Sequence, residues 1–333
     1  MDKLRIPAEW SPQERLILAW PHLREEWGQN FDEARRELRA FVSCCAEAFS
    51  QKDSLILLCH SSDKEECSAL FLANSVIKVE VEDFWDIWVR DTAPVFANSK
   101  AAVAFSFNGW GGKYDNFADA ALAEKLADLF GASLLKVALH CEGGALEHDG
   151  EGHFVTTRQC LLNSNRNPGS DEESIQRELS RCFSIESLKW INSGLLNDHT
   201  DGHVDTLFRF GPNKRIVIMR AESQEDPNAQ ALEDISRFAT QNFPDFSLVE
   251  LPSPGCVRGL DGAVLPASYL NFLFLNGKIL VPLYGVSSDS EVLEILTRSF
   301  PGWEIKGLMA RAILSGGGAF HCISQQVPKE VGV

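Results

Sequence analysis

Residues 272–282 have the sequence Phe-Leu-Phe-Leu-Asn-Gly-Lys-Ile-Leu-Val-Pro, in which two apolar runs flank Asn276-Gly277. An Asn-Gly pair between two apolar runs is a strong signal for a two-residue β-hairpin, because both residues accept the positive φ that the turn requires. An amphipathic helix is predicted directly afterwards, over residues 289–300, and Pro301 follows it. The stretch therefore predicts a hairpin followed by a single helix.

The same alternation recurs along the chain. Further strands are predicted at 54–59, 101–107, 154–157 and 215–219, and further helices at 32–49, 119–130 and 230–243. A plain doubly wound parallel sheet would contain fewer hairpins, so the pattern favours another α/β architecture. The sequence has no low-complexity linker and no repeat that can be aligned by eye. One domain over residues 1–333 is therefore expected.

The charge of the chain restricts its partners. Its 333 residues include 47 acidic and 31 basic side chains, which give a formal net charge of -16. Nucleic acids and anionic membrane surfaces bind clusters of Lys and Arg, so this balance argues against both. A cationic ligand would be attracted by such a field.

Cysteine usage indicates the compartment. The nine cysteines are an odd number and show no Cys-x-x-Cys spacing. Met1 to Pro7 lack the apolar core of a signal peptide, and no apolar run is long enough to span a membrane. Free thiols are stable in a reducing environment, so we expect a cytoplasmic protein whose thiols mostly fill the core.

The richest of five reactive stretches is residues 198–206, Asp-His-Thr-Asp-Gly-His-Val-Asp-Thr. His203 and Asp205 are two residues apart, so on an extended strand they would point to the same face. That placement suits a proton-transferring histidine and a carboxylate that act on one substrate. His199, His203 and Asp205 could also bind zinc, although the usual zinc spacings are missing, so metal-dependent hydrolysis stays an alternative.

The other stretches supply a thiol and more carboxylates. Residues 315–324, Ser-Gly-Gly-Gly-Ala-Phe-His-Cys-Ile-Ser, place three glycines shortly before Cys322 and leave its sulfur approachable, with Cys141 as a second choice of nucleophile. Asp91 beside Trp88 would form half of a cage for a planar cation. Glu142 directly precedes the tight backbone of Gly143-Gly144, and residues 254–271 are rich in turns and less informative.

Taken in order, these motifs resemble the agmatine deiminases and the related bacterial peptidylarginine deiminases of the guanidine-modifying, or pentein, superfamily. The resemblance spans the chain and is carried by five segments: residues 7–21, Trp88 to Thr92, Glu142 to Gly144, Gly202 to Asp205, and Gly316 to Gln326. It implies a pentein-type α/β propeller, in which about five ββαβ-like modules with pseudo-fivefold symmetry surround a central active site.

The resemblance also implies roles for individual residues. By position, these are Cys322 as nucleophile, His203 as general acid and base, Asp91 and Asp205 as guanidinium-binding carboxylates, Glu142 as the partner of the histidine, and Trp88 as a wall of the pocket. His199 stands near the distal end of the substrate, where many agmatine deiminases have an acidic residue. The identity of the substrate tail therefore stays open.

The expected reaction is hydrolysis of agmatine to N-carbamoylputrescine and ammonia, through a thiouronium intermediate on the cysteine. Peptidyl-arginine, free arginine and other alkylguanidines are alternative substrates, and a non-catalytic binder of guanidines or polyamines is a further alternative. The expected partner is a small cationic guanidine, and the chemistry requires neither a metal nor another cofactor. A homodimer is expected from the resemblance.

Overall fold

The protein was studied as a computed structural model, which describes residues 3–114 and 117–330. Its strands, in chain order, are β1 (Gln13–Ala19), β2 (Leu55–Cys59), β3 (Ile77–Val81), β4 (Val95–Asn98), β5 (Ala101–Ser106), β6 (Ser133–His140), β7 (Glu147–His148), β8 (His153–Thr157), β9 (Ser187–Ile191), β10 (Arg209–Gly211), β11 (Arg215–Arg220), β12 (Ser247–Pro252), β13 (Leu273–Leu275), β14 (Lys278–Leu283), β15 (Glu304–Met309) and β16 (Ser324–Pro328).

The helices lie between these strands. In chain order they are α1 (Arg24–Trp27), α2 (Phe31–Ala46), α3 (Lys64–Phe71), α4 (Val89–Thr92), α5 (Gly109–Gly112), α6 (Phe117–Phe130), α7 (Arg158–Leu161), α8 (Glu172–Cys182), α9 (Ala229–Asn242), α10 (Asp289–Ser299) and α11 (Arg311–Leu314). In the described part of the chain, no helix has the length and apolar character needed to cross a membrane.

The strands of the described residues form five small sheets. Their strand orders are β16-β1-β2-β3, β4-β5-β6, β7-β8-β9, β10-β11-β12 and β13-β14-β15. Each three-stranded sheet combines one antiparallel pair with one parallel pair, the four-stranded sheet has a second parallel pair, β2–β3, and helices connect the parallel strands. The chain is therefore a mixed α/β protein that repeats one local connection, which agrees with the predicted alternation of hairpins and helices.

The hairpin that opened the sequence argument is confirmed. Leu275 pairs with Lys278 across Asn276-Gly277, and both turn residues have positive φ values of 44° and 89°. The helix α10 follows and buries Val292 and Leu296. The other predicted helices and strands also have counterparts, with ends that differ by a few residues.

One local prediction was wrong. Residues 204–206 form a short 3-10 helix, so His203 and Asp205 do not lie on an extended strand. His203 is the extended residue before this turn, with φ -60° and ψ 137°. The tight turn still brings both side chains to the same region, because it directs the side chain of Asp205 toward Cys322, which lies just before β16.

The two ends of the described chain meet in one sheet. β16 pairs antiparallel with β1, with Leu18 opposite Ser324, and β1 pairs in parallel with β2. Every residue of β2 is buried, because this strand lies between two neighbours and under helices. Burial of each large apolar side chain contributes about 1.5–3 kcal/mol to the stability of the fold. The sheet is therefore stable, and it fixes the position of the segment before β16.

Candidate active site

Cys322 lies in the turn that leads into β16, and only 6% of its surface is exposed. Its sulfur accepts a hydrogen bond from Nδ2 of Asn271 at 3.1 Å and lies 3.5 Å from Oδ2 of Asp205. Burial raises the pKa of this thiol well above its usual range, and the charges of Asp205 and Asp91 raise it further. The thiol is therefore protonated in the empty site.

Gly318 is the member of the glycine run that touches this thiol. A Cβ atom at position 318 would lie 3.0 Å from the sulfur of Cys322 and 2.8 Å from Cζ3 of Trp88. Real Cβ atoms do not approach so closely, so any side chain at this position would displace one of the two. The sequence interpretation that glycines open the approach to the sulfur thus has a specific atomic basis.

Three functional side chains converge on Gly144. A Cβ atom at position 144 would lie 2.7 Å from Nδ1 of His203, 2.9 Å from Oδ1 of Asp91 and 3.2 Å from Oδ2 of Asp205. The backbone of Gly144 also donates a hydrogen bond to Oδ1 of Asp91 at 3.0 Å. The glycine is required here because the protein backbone itself passes between a histidine and two carboxylates.

Asp91 lies in the short helix α4 and is 7% exposed. Its second oxygen, Oδ2, accepts a hydrogen bond from Nε1 of Trp110 at 2.9 Å. Trp110 has a φ of 55°, a conformation that is rare for a bulky residue and that commonly marks a functional constraint. Burial raises the pKa of Asp91, although the nearby His203 opposes that shift. A cation bound here would stabilise the ionised carboxylate.

His203 lies between two carboxylates in the interior. Its Nε2 is 3.5 Å from Oε2 of Glu142, and its Nδ1 is 3.6 Å from Oδ2 of Asp91. Burial alone would lower the pKa of His203, but the charge of Asp91 and contacts with Cys160 and Glu142 raise it well above its usual value. The imidazole is therefore held in its protonated form, ready to give a proton to a departing group.

Glu142 is kept ionised beside this histidine. Arg166 donates to both of its oxygens, at 2.8 and 3.2 Å, and its guanidinium also contacts Asp201 at 2.8 Å. Burial would raise the pKa of Glu142, but the hydrogen bond from His203 and the charge of Arg166 lower it to about 2. Arg166 thus fixes the carboxylate that the histidine faces.

Cys322 and Asp91 line a cavity of about 210 Å³, and His203 and Asp205 lie next to these two residues. Aromatic rings form much of its wall: Trp27, Trp85, Trp88, Trp110 and Tyr114. The lining also contains the carboxylates of Glu26, Asp86 and Asp91, and it includes neither Lys nor Arg among the described residues. A pocket of this composition suits an elongated cation.

The family model for Porphyromonas-type peptidyl-arginine deiminase matches residues 5–328 of the chain. The chain belongs to this family. It is 31% identical over 362 residues to a protein of Marinomonas sp. (strain MWYL1) that carries the provisional name agmatine deiminase, an alignment that covers 100% of this chain and 96% of the relative. Among solved structures, a variant of C. jejuni agmatine deiminase with substrate bound is 30% identical, with a TM-score of 0.89 and coverage of 99% and 97%.

A second solved structure is equally similar in shape. The agmatine deiminase of Enterococcus faecalis has a TM-score of 0.90 at 25% identity, and the match covers 99% of this chain and 97% of that one. Both matches therefore concern the whole fold of this chain and not a part of it.

In this member of the Porphyromonas-type peptidyl-arginine deiminase family, the residues singled out from the sequence occupy one neighbourhood, and His199 lines the outer part of the same cavity. His199 is exposed and lies at the rim of the cavity, where its Nδ1 would be 3.1 Å from a Cβ atom on Gly317. Its side chain is thus at the mouth of the site, while His203 is 1% exposed.

Asn271 is a site residue that sequence reasoning missed. Its Nδ2 donates to Cys322 and to Asp205, at 3.1 and 3.3 Å, and its Oδ1 accepts from the backbone N–H groups of Ala319, His321 and Cys322. One amide side chain thus shapes the turn that carries the thiol. The sequence signal was weak, because Asn271 stands in a turn-rich segment about 50 residues before its partners.

His321 directly precedes Cys322 in the glycine-rich stretch 315–324, and its partners come from distant parts of the chain. Its Nδ1 is 2.7 Å from Oδ2 of Asp205, and its Nε2 is 2.8 Å from Oε2 of Glu9. Burial would raise the pKa of Asp205, but the hydrogen bond and charge of His321 lower it. The histidine before the thiol therefore supports an ionised carboxylate beside the sulfur.

The two sequence alternatives can also be located. Cys141 is buried and donates to the carbonyl oxygen of Glu142 at 3.5 Å, but it does not line the cavity that contains Cys322. For metal binding, the described residues offer Glu142, Cys160 and His203, whose ligand atoms lie within 4.8 Å of one another. His199 and Asp205 do not belong to this group, so the described residues do not form the alternative zinc set of His199, His203 and Asp205.

Proposed function

We propose that this protein is an agmatine deiminase, which hydrolyses agmatine to N-carbamoylputrescine and ammonia. The observation that carries the proposal is the convergence of Asp91, His203 and Asp205 beside the sulfur of Cys322, where Asp91 and Cys322 line a cavity that suits a cation. The similarity to agmatine deiminases over the whole chain supports it independently.

The cavity favours agmatine over free arginine. A guanidinium is permanently charged, and burying it without carboxylate partners would be prohibitive, so Asp91 and Asp205 are assigned to its N–H groups. An arginine substrate also brings a carboxylate, which needs a cationic partner. The described lining contains three carboxylates and lacks Lys and Arg, so a carboxylate in the tail would be repelled.

In the first half of the proposed reaction, the bound guanidinium stabilises the thiolate of Cys322. The thiol of Cys322 releases its proton to solvent, since the imidazole of His203 is already protonated, and the sulfur attacks the central guanidinium carbon and forms a C–S bond. His203 then donates its proton to the departing nitrogen, the C–N bond breaks, and ammonia leaves. An S-alkylthiouronium remains on Cys322.

In the second half, water completes the hydrolysis. His203, now neutral, accepts a proton from the water, whose oxygen attacks the same carbon. The C–S bond breaks, the sulfur recovers its proton, and the ureido product is released. Glu142 and Arg166 keep the imidazole oriented in both halves, and no electron transfer takes place.

We further propose that the five sheets are the five modules of a pentein-type propeller around this site. The repeated order of an antiparallel pair, a helix and a parallel strand supports this architecture. Residues 1–333 are assigned to one guanidine-modifying catalytic domain. The nine free cysteines support a cytoplasmic location, and a homodimer remains our expectation from the family.

The direct test is ammonia release from agmatine by the intact protein and by Cys322→Ala. We expect the variant to lose at least about 10³-fold in kcat while agmatine still binds, because removal of a covalent nucleophile abolishes the covalent route. Cys256→Ala is the matched control, since Cys256 is the exposed free cysteine. Full activity of Cys322→Ala would contradict the proposal.

The same assay distinguishes the alternatives. Loss of activity on chelation, without loss on thiol alkylation, would favour a metal-dependent hydrolase built on Glu142, Cys160 and His203. A panel of agmatine, free arginine and a peptide containing arginine identifies the substrate. Faster ammonia release from the peptide than from agmatine would replace agmatine with peptidyl-arginine as the substrate.

A further inference from the structure

Asp86 is a carboxylate of the cavity wall that the proposed reaction does not use. Its Oδ1 accepts hydrogen bonds from the backbone N–H of Ile87 at 2.8 Å and from Nε1 of Trp27 at 3.1 Å. Its Oδ2 accepts from Nε1 of Trp88 at 2.9 Å. These donors hold the carboxylate in a fixed position on the cavity wall.

The described residues provide this carboxylate with no cationic partner. Its neighbours are N–H groups and the carboxylate of Glu26, which lines the same cavity. Burial raises the pKa of Asp86 to about 6, although its hydrogen bonds oppose that shift. A desolvated carboxylate without a counter-ion is costly, and a ligand cation would remove that cost.

The indole of Trp88 connects this carboxylate with the nucleophile. The Cζ3 edge of the ring faces the thiol, because a Cβ atom on Gly318 would lie 2.8 Å from Cζ3 and 3.0 Å from the sulfur of Cys322. The opposite end of the ring, Nε1, donates to Asp86. The alkyl chain of a substrate that extends from the sulfur along the indole of Trp88 would therefore end at the carboxylate of Asp86.

We infer that Asp86 is the specificity-determining residue that binds the distal ammonium of an ω-aminoalkylguanidine, while Trp88 covers the methylene chain. The inference rests on the proposed deiminase function and names the part of the site that reads the substrate tail. The ammonium joins the hydrogen-bonded carboxylate, and the apolar carbons between the two charges lie on the aromatic ring.

The assignment of Asp86 supplies a carboxylate for the substrate tail, whose identity His199 had left open. A histidine at the rim supplies no fixed negative charge for an ammonium, whereas Asp86 on the cavity wall does. Carboxylates are thus assigned to each end of a dication: Asp91, with Asp205 next to Cys322, at the guanidinium, and Asp86 on the cavity wall at the amine.

The test compares two substrates that differ in the amine alone. We would measure kcat/KM for agmatine and for n-butylguanidine, with the unmodified enzyme and with Asp86→Asn. We expect Asp86→Asn to lower the value for agmatine on the order of 10²-fold and to leave that for n-butylguanidine within about twofold. Asp86→Glu, which keeps the charge, should retain part of the preference for agmatine.

Asp83→Asn is the matched control. Asp83 is exposed, and the variant removes the same charge three residues away from Asp86 without touching the cavity lining. We expect it to leave both substrates unchanged. An effect of Asp83→Asn as large as that of Asp86→Asn would mean that net charge, and not a specific contact, sets the preference, which would overturn the inference.

Two further outcomes would overturn the assignment of Asp86. An equal loss for both substrates would mean that Asp86 merely supports Trp27 and Trp88, and an unchanged preference for agmatine would mean that the amine binds elsewhere. The proposed function fails differently: the unmodified enzyme would then release ammonia from neither substrate. If Asp86→Asn does not fold, the preference of Asp86→Glu decides, since its complete loss in a folded, active enzyme contradicts an ion pair at this position.

Discussion

Two groups of carboxylates, one at the cavity and one behind it, differ in how their charge is neutralised; Asp91, Glu9 and Glu147 are buried, and Asp86 is half-buried. Asp86 and Asp91, at the cavity, accept hydrogen bonds from indole and backbone N–H groups but form no ion pair with Lys or Arg among the described residues. Behind the site, Arg209 pairs with Glu9 at 2.7 Å and with Glu147 at 3.1 Å.

The difference shows where the protein leaves room for a foreign cation. An unpaired buried charge destabilises a fold, so the negative charge at the cavity is tolerated because a substrate can neutralise it. Behind the cavity, negative charge is neutralised within the protein by Arg209. Burial would raise the pKa of Glu9, but Arg209 and His321 lower it. For Glu147, burial and the charge of Glu9 raise the pKa to about 8.

The largest effect is expected where the pairing is internal. Arg209→Met leaves Glu9 buried without its main partner, so we expect the free energy of unfolding to fall by about 3–5 kcal/mol. Urea denaturation measures it. Arg237→Met is the control, because Arg237 forms exposed ion pairs within α9 and its loss should cost less than about 1 kcal/mol. If Arg209→Met and Arg237→Met lost equal free energies of unfolding, the carboxylates behind the site would not depend on internal pairing, and the distinction between the two groups would be wrong.

At the cavity the same kind of change should affect activity and leave stability intact. Asp91→Asn removes a charge that has no Lys or Arg partner, so we expect kcat/KM for agmatine to fall on the order of 10²-fold. The urea midpoint should change little, since Glu142 remains as a carboxylate partner of the protonated His203 when Asp91 loses its charge. A large loss of stability would mean that Asp91 serves the fold as Arg209 does.

The smallest expected effect concerns the thiol between the two groups. Asp91 and Asp205 raise the pKa of Cys322, so a bound guanidinium that does not react should lower it by at least about one pH unit. Thiolate absorbance, followed against pH with and without such a ligand, measures this change. Cys322→Ala provides the background of the other thiols, and an unchanged titration would contradict activation by the substrate.

Part of the fold could be predicted from local pattern, but ten of the sixteen strands in the described residues could not. The hairpin at Asn276-Gly277 and the helices α2 and α9 follow from turn chemistry and from apolar spacing. The parallel strands β3 and β15 were missed, because they are short and mostly half-exposed. Such strands are defined by pairing with a neighbour, which a single sequence does not display.

The candidate site divides in a similar way. Residues with distinctive chemistry beside glycines, such as Cys322, His203 and Glu142, could be singled out before their positions were known. Asn271 and Arg166 could not, because they act through partners that only the folded chain brings near. The strand assumed for His203 and Asp205 failed because Gly202 and the following 3-10 turn redirect the backbone.

The pairing of β1 with β16 has a consequence for synthesis on the ribosome. The thiol at position 322 is positioned by a strand that must return to a partner about 300 residues earlier in the chain. Contacts so distant in sequence form late in folding. A nascent chain would therefore contain most of its sheets before it has a reactive centre, and a translation product that ends before residue 322 would contain carboxylates for a guanidinium but lack the nucleophile.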